Sequence, residues 1–100
     1  MTKEVVLTVI AEEDLQNVID YLTYKWGFKV LNNFIDRYDQ VINILSEDAK
    51  RFPFVDVNKN MQKCILTKHN SLYFIEMEAV ITVVTIFDTR QDPRKLTEII

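Results

Sequence analysis

The sequence is poor in the residues that interrupt or cross-link a chain, and each shortage excludes a class of protein. Its 100 residues include one glycine and two prolines, which excludes collagen-like repeats, low-complexity segments and Pro/Gly-rich disorder. Cys64 is the only cysteine, so an intramolecular disulfide and a multi-cysteine metal site are excluded. An apolar leader and an apolar run of about 18 residues are also missing. We therefore expect neither secretion nor membrane insertion, and we expect the protein in the cytoplasm.

A basic excess is missing as well. Lys and Arg number 12 against 15 Asp and Glu, which gives a formal net charge of −3. The acidic excess lies in residues 1–60, with seven basic and ten acidic residues, whereas residues 61–100 carry five of each. Proteins that bind nucleic acids usually carry a basic patch. This chain has no overall basic footprint of that kind.

What the sequence does contain is enough apolar material for one core. Hydrophobic residues make up 48% of the chain, and they include six Phe, four Tyr and one Trp. A chain of this length has the size of one domain and buries enough surface to fold alone, although marginally. We therefore predict a single domain that spans residues 1–100.

Two amphipathic helices are predicted in the first half. From Glu12 onward, apolar residues recur at the spacing of one helical face. Glu12, Glu13 and Asp14 then lie in the first turn, where they favour the helix dipole, and we assign them no catalysis. Gly27 is predicted as a left-handed C-cap that turns the first helix back on the second. Trp26 is predicted to pack in the core or at this hinge, with a recognition aromatic as the alternative. The first stripe is Leu15, Val18, Ile19, Leu22 and Trp26, and the second is Leu31, Phe34, Ile35, Tyr38, Val41, Ile42 and Leu45.

Four segments have the composition of strands, because they are rich in β-branched and aromatic residues and are bounded by turn residues. These segments are Lys3–Ile10, Met61–Leu66, Leu72–Met77 and Ile81–Phe87. Between the helices and the second strand, residues 47–60 are predicted to form the longest loop. Its Phe52-Pro53-Phe54 sequence is predicted to pin the loop to the core, with an exposed partner patch as the alternative.

The end of the chain carries a clear helix start. Pro93 cannot lie inside a sheet, and it is favoured at the first position of a helix. Asp92 precedes it as a natural N-cap. A short closing helix is therefore predicted from Pro93 toward Ile100. The element order becomes β-α-α-β-β-β(-α), which predicts an α+β fold with an antiparallel sheet and a helical hairpin packed on one face.

At this point the sequence resembles a known family, the RelE/ParE toxins of bacterial type II toxin–antitoxin systems. The stretches that carry the resemblance are Phe87–Pro93, His69–Phe74, Asp14-Leu15, Ile19, Tyr21, Trp26-Gly27, Phe34 and Leu45. The resemblance implies the same architecture, with growth inhibition and plasmid stabilisation as functions. It also implies a cognate antitoxin as partner. That antitoxin would bind through a helix along an apolar groove and a strand added to a sheet edge, giving a hetero-oligomer.

The family has two branches, and the residues leave both open. The ParE-like branch blocks DNA gyrase by protein contact, with the last strand and closing helix as the implied region. The RelE-like branch cuts messenger RNA on the ribosome without a metal or cofactor, which requires proton transfer groups and cations. The acidic composition and the thin set of cations favour the ParE-like branch. A non-toxic member with a binding role alone is a further alternative.

Three residues are candidates for the catalytic site of the RelE-like alternative. His69 has the side chain suited to proton transfer near neutral pH, and its structural alternative is a role in a hairpin turn. Lys63 is a candidate cation whose alternative is a surface charge on a strand. Arg90 lies where the family places a ligand-facing arginine, and its alternative is an ion pair with Asp88 or Asp92.

Overall fold

The helices and strands follow the predicted order, with one additional strand. The computed structural model describes residues 2–100. The strands are β1 (Glu4–Leu7), β2 (Phe54–Asp56), β3 (Met61–Thr67), β4 (Asn70–Glu76) and β5 (Val80–Asp88); the helices are α1 (Val9–Lys25), α2 (Phe28–Asp48) and α3 (Pro93–Ile99), with a 3-10 turn at Ala49–Arg51. None of the helices in residues 2–100 is both long and apolar enough to cross a bilayer.

The five strands form one sheet in the order β1-β5-β4-β3-β2. Strands β3 to β5 are antiparallel, as predicted, and the additional strand β2 is antiparallel to β3. β1, in contrast, pairs in parallel with β5. The end of α2 returns the chain to the end of the sheet where β1 begins, since Ser46 exchanges hydrogen bonds with Lys3, and the short β2 runs opposite to β1 before β3 turns back. Three successive reversals then leave β5 pointing the same way as β1. The parallel pair is thus a consequence of the helical hairpin.

The sheet is covered on both faces, but unequally. The helical hairpin of α1 and α2 covers the large core, and α3 covers a small cluster on the other face. The large core contains Phe34, Val41, Leu45, Leu66, Leu72, Phe74, Ile81 and Val83, and the small cluster contains Met61, Tyr73 and Phe87 with Leu96 and Ile100 against it. The predicted packing of the hairpin on one face is therefore confirmed.

The first strand is shorter than predicted, because a helix begins before its β-branched run ends. Thr8 is the N-cap of α1, and its hydroxyl accepts a hydrogen bond from the Ala11 N–H at 3.1 Å. The helix therefore starts at Val9 rather than at Glu12. Val9 and Ile10, which the pattern assigned to a strand, are exposed on the first turn of the helix at 70% and 44%. Local capping has outweighed the strand preference of these residues.

The predicted loop at residues 47–60 is also partly structured. The segment contains the end of α2, the 3-10 turn and the edge strand β2. The Gln62 side chain holds this segment in place, because its Nε2 donates hydrogen bonds to the carbonyl oxygens of Ala49 at 2.8 Å and of Phe52 at 3.0 Å. Phe52 contacts Phe74 edge to face with the ring centroids 6.0 Å apart, so it attaches the segment to the core as predicted. Phe54, in contrast, is 47% exposed.

Gly27 turns α1 into α2 with a positive φ, but not in the left-handed helical conformation that was predicted. Its φ of 82° and ψ of −174° lie in a region that is essentially restricted to glycine. Its N–H bonds to the Leu22 carbonyl at 2.9 Å and so closes the end of α1. Gly27 is also the N-cap of α2, which begins at Phe28, so this one residue joins the two helices.

Replacing Gly27 by alanine should therefore lower the free energy of unfolding by about 1 to 3 kcal/mol. A β-carbon added there meets nothing within 4 Å, so the cost comes from backbone strain and not from a clash. Urea denaturation measures the loss, with the exposed Lys25→Ala as a control that changes little. Gly27→Asn is the decisive comparison, since asparagine tolerates the left-handed helical region. Stability close to wild type in Gly27→Asn would contradict the observed conformation.

Candidate functional site

A groove of about 620 Å³ opens between the helical hairpin and one end of the sheet. α1 and α2 form one wall, and the β3–β4 turn and the residues around the end of β5 form the other. The apolar wall includes Val18, Leu22, Phe34 and Ile86, and the charged rim includes Asp14, Lys68, Asp88 and Arg90. The rim therefore has two carboxylates against two cations. Such a balance suits a protein segment with apolar side chains better than a polyanion.

Asp14 holds the sheet edge that forms one wall of the groove. β1 ends at Leu7, which pairs with Val83, so the following residues of β5 have no strand partner on that side. Oδ2 of Asp14 takes the place of such a partner. It accepts hydrogen bonds from the Ile86 N–H at 3.0 Å and from the Thr85 hydroxyl at 2.5 Å. The prediction that Asp14 serves the first turn of the helix is wrong, because α1 begins earlier and places this residue in the second turn.

Arg90 forms an ion pair with Asp88. The Arg90 Nε donates to Asp88 Oδ1 at 3.0 Å, and the second guanidinium nitrogen donates to Oδ2 at 2.8 Å. These side-chain hydrogen bonds are the main cause of a lowered pKa at Asp88 and of a raised pKa at Arg90. The guanidinium carbon also lies 6.0 Å from the centroid of the Tyr21 ring, within the range of a cation–π contact. The structural alternative proposed for Arg90 is thus present.

His69 lies at the turn between β3 and β4, as predicted, and lines the groove together with Arg90. Its carbonyl accepts a hydrogen bond from the Thr89 N–H at 2.8 Å, which joins this turn to the segment after β5. The imidazole and the guanidinium therefore share one surface. Lys68 lines the same groove and is exposed.

Lys63 does not share that surface. It lies on β3 opposite Tyr73, and its Nζ is 5.9 Å from the centroid of the Tyr73 ring. Tyr73 belongs to the small cluster on the face covered by α3, whereas the groove belongs to the face of the helical hairpin. Two of the three candidate residues are thus brought together and the third is separated from them by the sheet.

Sequence reasoning missed two aromatic residues of the groove. Tyr21 entered the sequence analysis only as part of the family resemblance, yet it lines the groove beside Arg90. Trp26 was predicted to pack in the core or at the hinge, and that prediction is wrong for the core, since its side chain is 60% exposed and lines the groove. The available signal was the position of Trp26 at the end of its helical stripe. A side chain there has a neighbouring helical turn on one side only.

Cys64 is the remaining side chain with nucleophilic chemistry, and its surroundings fit a structural role. Cys64 is 1% exposed, and burial raises the pKa of its thiol, which disfavours the nucleophilic thiolate. In residues 2–100, no three His, Cys, Asp or Glu side chains are grouped so that they could hold a metal ion.

Comparisons with known proteins identify the fold. No family profile matches the sequence, and no curated protein matches it. Among solved structures, a chain of the chromosomal ParDE toxin–antitoxin (TA) system from P. aeruginosa is similar, with a TM-score of 0.71 at 15% sequence identity. The match covers 87% of this chain and 96% of that one. The protein therefore shares the fold of that chain, in agreement with the α+β architecture predicted from its sequence.

Proposed function

We propose that this protein is the toxin of a type II toxin–antitoxin pair, and that it inhibits growth in the cytoplasm by contact with DNA gyrase. The structural similarity to a chain of a ParDE system, over nearly the full length of both chains, supports the toxin class. A cognate antitoxin neutralises it in a hetero-oligomer. The groove offers an apolar wall for an antitoxin helix, and the edge strands β1 and β2 offer backbone groups for an added strand.

The observation that favours contact over cleavage is the bidentate pair between Arg90 and Asp88. Cleavage of RNA needs cations free to stabilise negative charge on the transferred phosphate. Here the guanidinium is already neutralised by a carboxylate, and Lys63 lies on the other face of the sheet. Inhibition of gyrase by contact requires neither an acid nor a base. The balanced charge of the groove and the net charge of −3 agree with this choice.

Controlled expression in a bacterial host tests the toxin class. Expression of this chain alone should arrest growth, and co-expression with the small gene encoded beside it should restore growth. A frameshifted copy of the same gene serves as the control for the burden of expression. Normal growth with the folded protein present at high level would instead point to a non-toxic member with a binding role.

A supercoiling assay with purified gyrase tests the target. The protein should lower the supercoiling rate in a dose-dependent manner. The closing helix α3 belongs to the region proposed for the contact, so the substitution Lys95→Glu at an exposed position of α3 should weaken inhibition at least several-fold. The matched substitution Lys50→Glu, at an exposed position within the 3-10 turn, should not. An unchanged supercoiling rate at saturating protein would exclude gyrase as the target.

The messenger RNA endonuclease is the second candidate, because His69, Arg90 and Lys68 line one groove. Ribosomes programmed with messenger RNA provide the substrate. Cleavage that is lost in His69→Ala and Arg90→Ala would support this alternative. Lys63→Ala distinguishes a site that includes Lys63 from a site confined to the groove, because only the second would tolerate that change. Intact messenger RNA after incubation with the wild-type protein would exclude cleavage.

A further inference from the structure

The tip of the helical hairpin carries an unusual concentration of exposed aromatic side chains. We define the hairpin tip as residues 24–29, which join α1 to α2. Tyr24 is 92% exposed, Trp26 is 60% exposed and Phe28 is 75% exposed. Isolated apolar residues on a surface need no explanation, but three exposed aromatic residues within five positions concentrate apolar surface at one end of the hairpin, as interaction sites do. Trp26 also lines the groove, whereas Tyr24 and Phe28 do not. The packing of the domain does not account for them.

The hairpin tip is also cationic, although the protein is acidic. Lys25 and Lys29 are both exposed, and residues 24–29 contain no acidic residue, so the tip carries +2 in a chain of −3. The nearest acids along the helices are Asp20 and Asp36, about 8 and 10 Å away at 1.5 Å per residue. The acidic start of α1 is about 18 Å from Lys25 and lies beyond the Debye length of about 8 Å.

We propose that the hairpin tip docks on an anionic lipid surface. Trp, Tyr and Phe side chains favour the boundary between lipid headgroups and acyl chains, and lysines beside them are attracted to anionic headgroups. The tip is formed by the turn between two helices, so it can meet a flat surface while the acidic body stays away from it. This attachment is peripheral and requires no helix that spans the bilayer. It is independent of the proposed inhibition of gyrase.

A nucleic acid fits this surface less well. Proteins that stack single-stranded bases combine aromatic residues with a cationic groove that follows the backbone. The groove beside the hairpin tip has a rim in which Asp14 and Asp88 balance Lys68 and Arg90. The local excess of positive charge is therefore confined to the hairpin tip. Its two lysines can reach lipid headgroups, but they do not form a cationic groove along which a nucleic acid strand could lie.

The protein contains its own reporter for this docking, since Trp26 is its only tryptophan. Vesicles of phosphatidylcholine with phosphatidylglycerol should shift the Trp26 emission to shorter wavelength, and brominated acyl chains should quench it. The protein should also sediment with these vesicles. At low ionic strength, the two lysines predict a partition coefficient about 30-fold higher than for phosphatidylcholine alone.

Two double variants separate the charged and apolar contributions. Lys25→Glu with Lys29→Glu should abolish the preference for phosphatidylglycerol, and Tyr24→Ser with Phe28→Ser should lower partitioning at least tenfold while Trp26 still reports. The control for charge is Lys50→Glu with Lys95→Glu, which makes the same change in net charge elsewhere. The control for apolar exposure is Phe54→Ser. Unchanged circular dichroism verifies that each variant is folded.

Three results would overturn the proposal. The first is an unchanged Trp26 emission together with no sedimentation on anionic vesicles. The second is equal loss of binding in the control variants, which would indicate that net charge and not the tip is responsible. The third is a response of Trp26 to single-stranded oligo(dT) without a response to vesicles, which would assign the hairpin tip to a nucleic acid.

Discussion

Replacing Phe74 by alanine should lower the free energy of unfolding by about 3 to 5 kcal/mol. Phe74 is fully buried in the middle of β4, between the sheet and the helical hairpin, and it contacts Phe52 edge to face. The substitution removes apolar burial and leaves a cavity that the surrounding strands cannot close. Because domains of this size are stable by about 5 to 15 kcal/mol, much of the total would be lost.

Urea denaturation followed by far-UV circular dichroism provides the measurement for Phe74→Ala. Phe54→Ala is the matched control, because Phe54 is also a phenylalanine, lies on β2 at the edge of the same sheet and is 47% exposed. Its loss should stay near 0.5 kcal/mol, as for most surface positions. Similar losses in the two variants would contradict the assignment of Phe52 and Phe74 to the core and of Phe54 to the surface.

Replacing Asp14 by alanine should cost about 3 kcal/mol, a large effect for a residue at the edge of a groove. The substitution removes the acceptor of both the Ile86 N–H and the Thr85 hydroxyl, and Thr85 is 1% exposed, so water does not easily take its place. Hydrogen bonds to a charged group contribute about 1.5 to 3 kcal/mol each, and the contributions of two bonds to one oxygen do not simply add.

Amide hydrogen exchange gives a local readout for Asp14→Ala. The Ile86 amide should exchange much faster in the variant, together with its neighbours at the end of β5, while the middle of β4 keeps its protection. Asp14→Asn retains an acceptor oxygen and should recover more than half of the lost stability. Glu13→Ala, at the exposed adjacent position of α1, should behave like wild type. Unchanged exchange at Ile86 would show that Asp14 does not support this edge.

Periodicity predicted those elements whose apolar residues all face one way. The stripe of α2 from Leu31 to Leu45 belongs to this group. The strands β3, β4 and β5 were instead predicted from their composition, since their apolar residues are buried on both faces of the sheet. The N-cap at Asp92 was predictable from its neighbour Pro93, and its side chain accepts a hydrogen bond from the Arg94 N–H. Local chemistry was sufficient at each of these positions.

Features that depend on distant partners could not be predicted in the same way. The start of α1 is fixed by Thr8, whose hydroxyl also donates to the Val84 carbonyl at 2.7 Å, 76 positions away in sequence. β2 exists because Phe54 and Asp56 pair with β3 through an irregular register. Neither contact leaves a periodic signal in the short segment that carries it.

The candidate site shows the same division. The position of Arg90 just beyond a buried strand, with Asp88 as its alternative partner, was readable from the order of the residues. The separation of Lys63 from His69 was not, because it depends on which face of β3 Lys63 takes and on how the β3–β4 turn places His69. The β3–β4 and β4–β5 pairs each contain a register shift, at Ile65/Thr67 and Tyr73/Phe74, and a shift of one residue reverses the face.

The parallel pairing of β1 with β5 determines when the sheet can form during translation. Glu4 pairs with Val80 and Leu7 pairs with Val83, so β1 finds its partner only after more than 70 further residues have been made. Until then the nascent chain can form its helices but cannot complete the sheet beneath them. Completion of the sheet therefore waits for the synthesis of β5, and the groove wall that β5 and Asp14 build together forms only then.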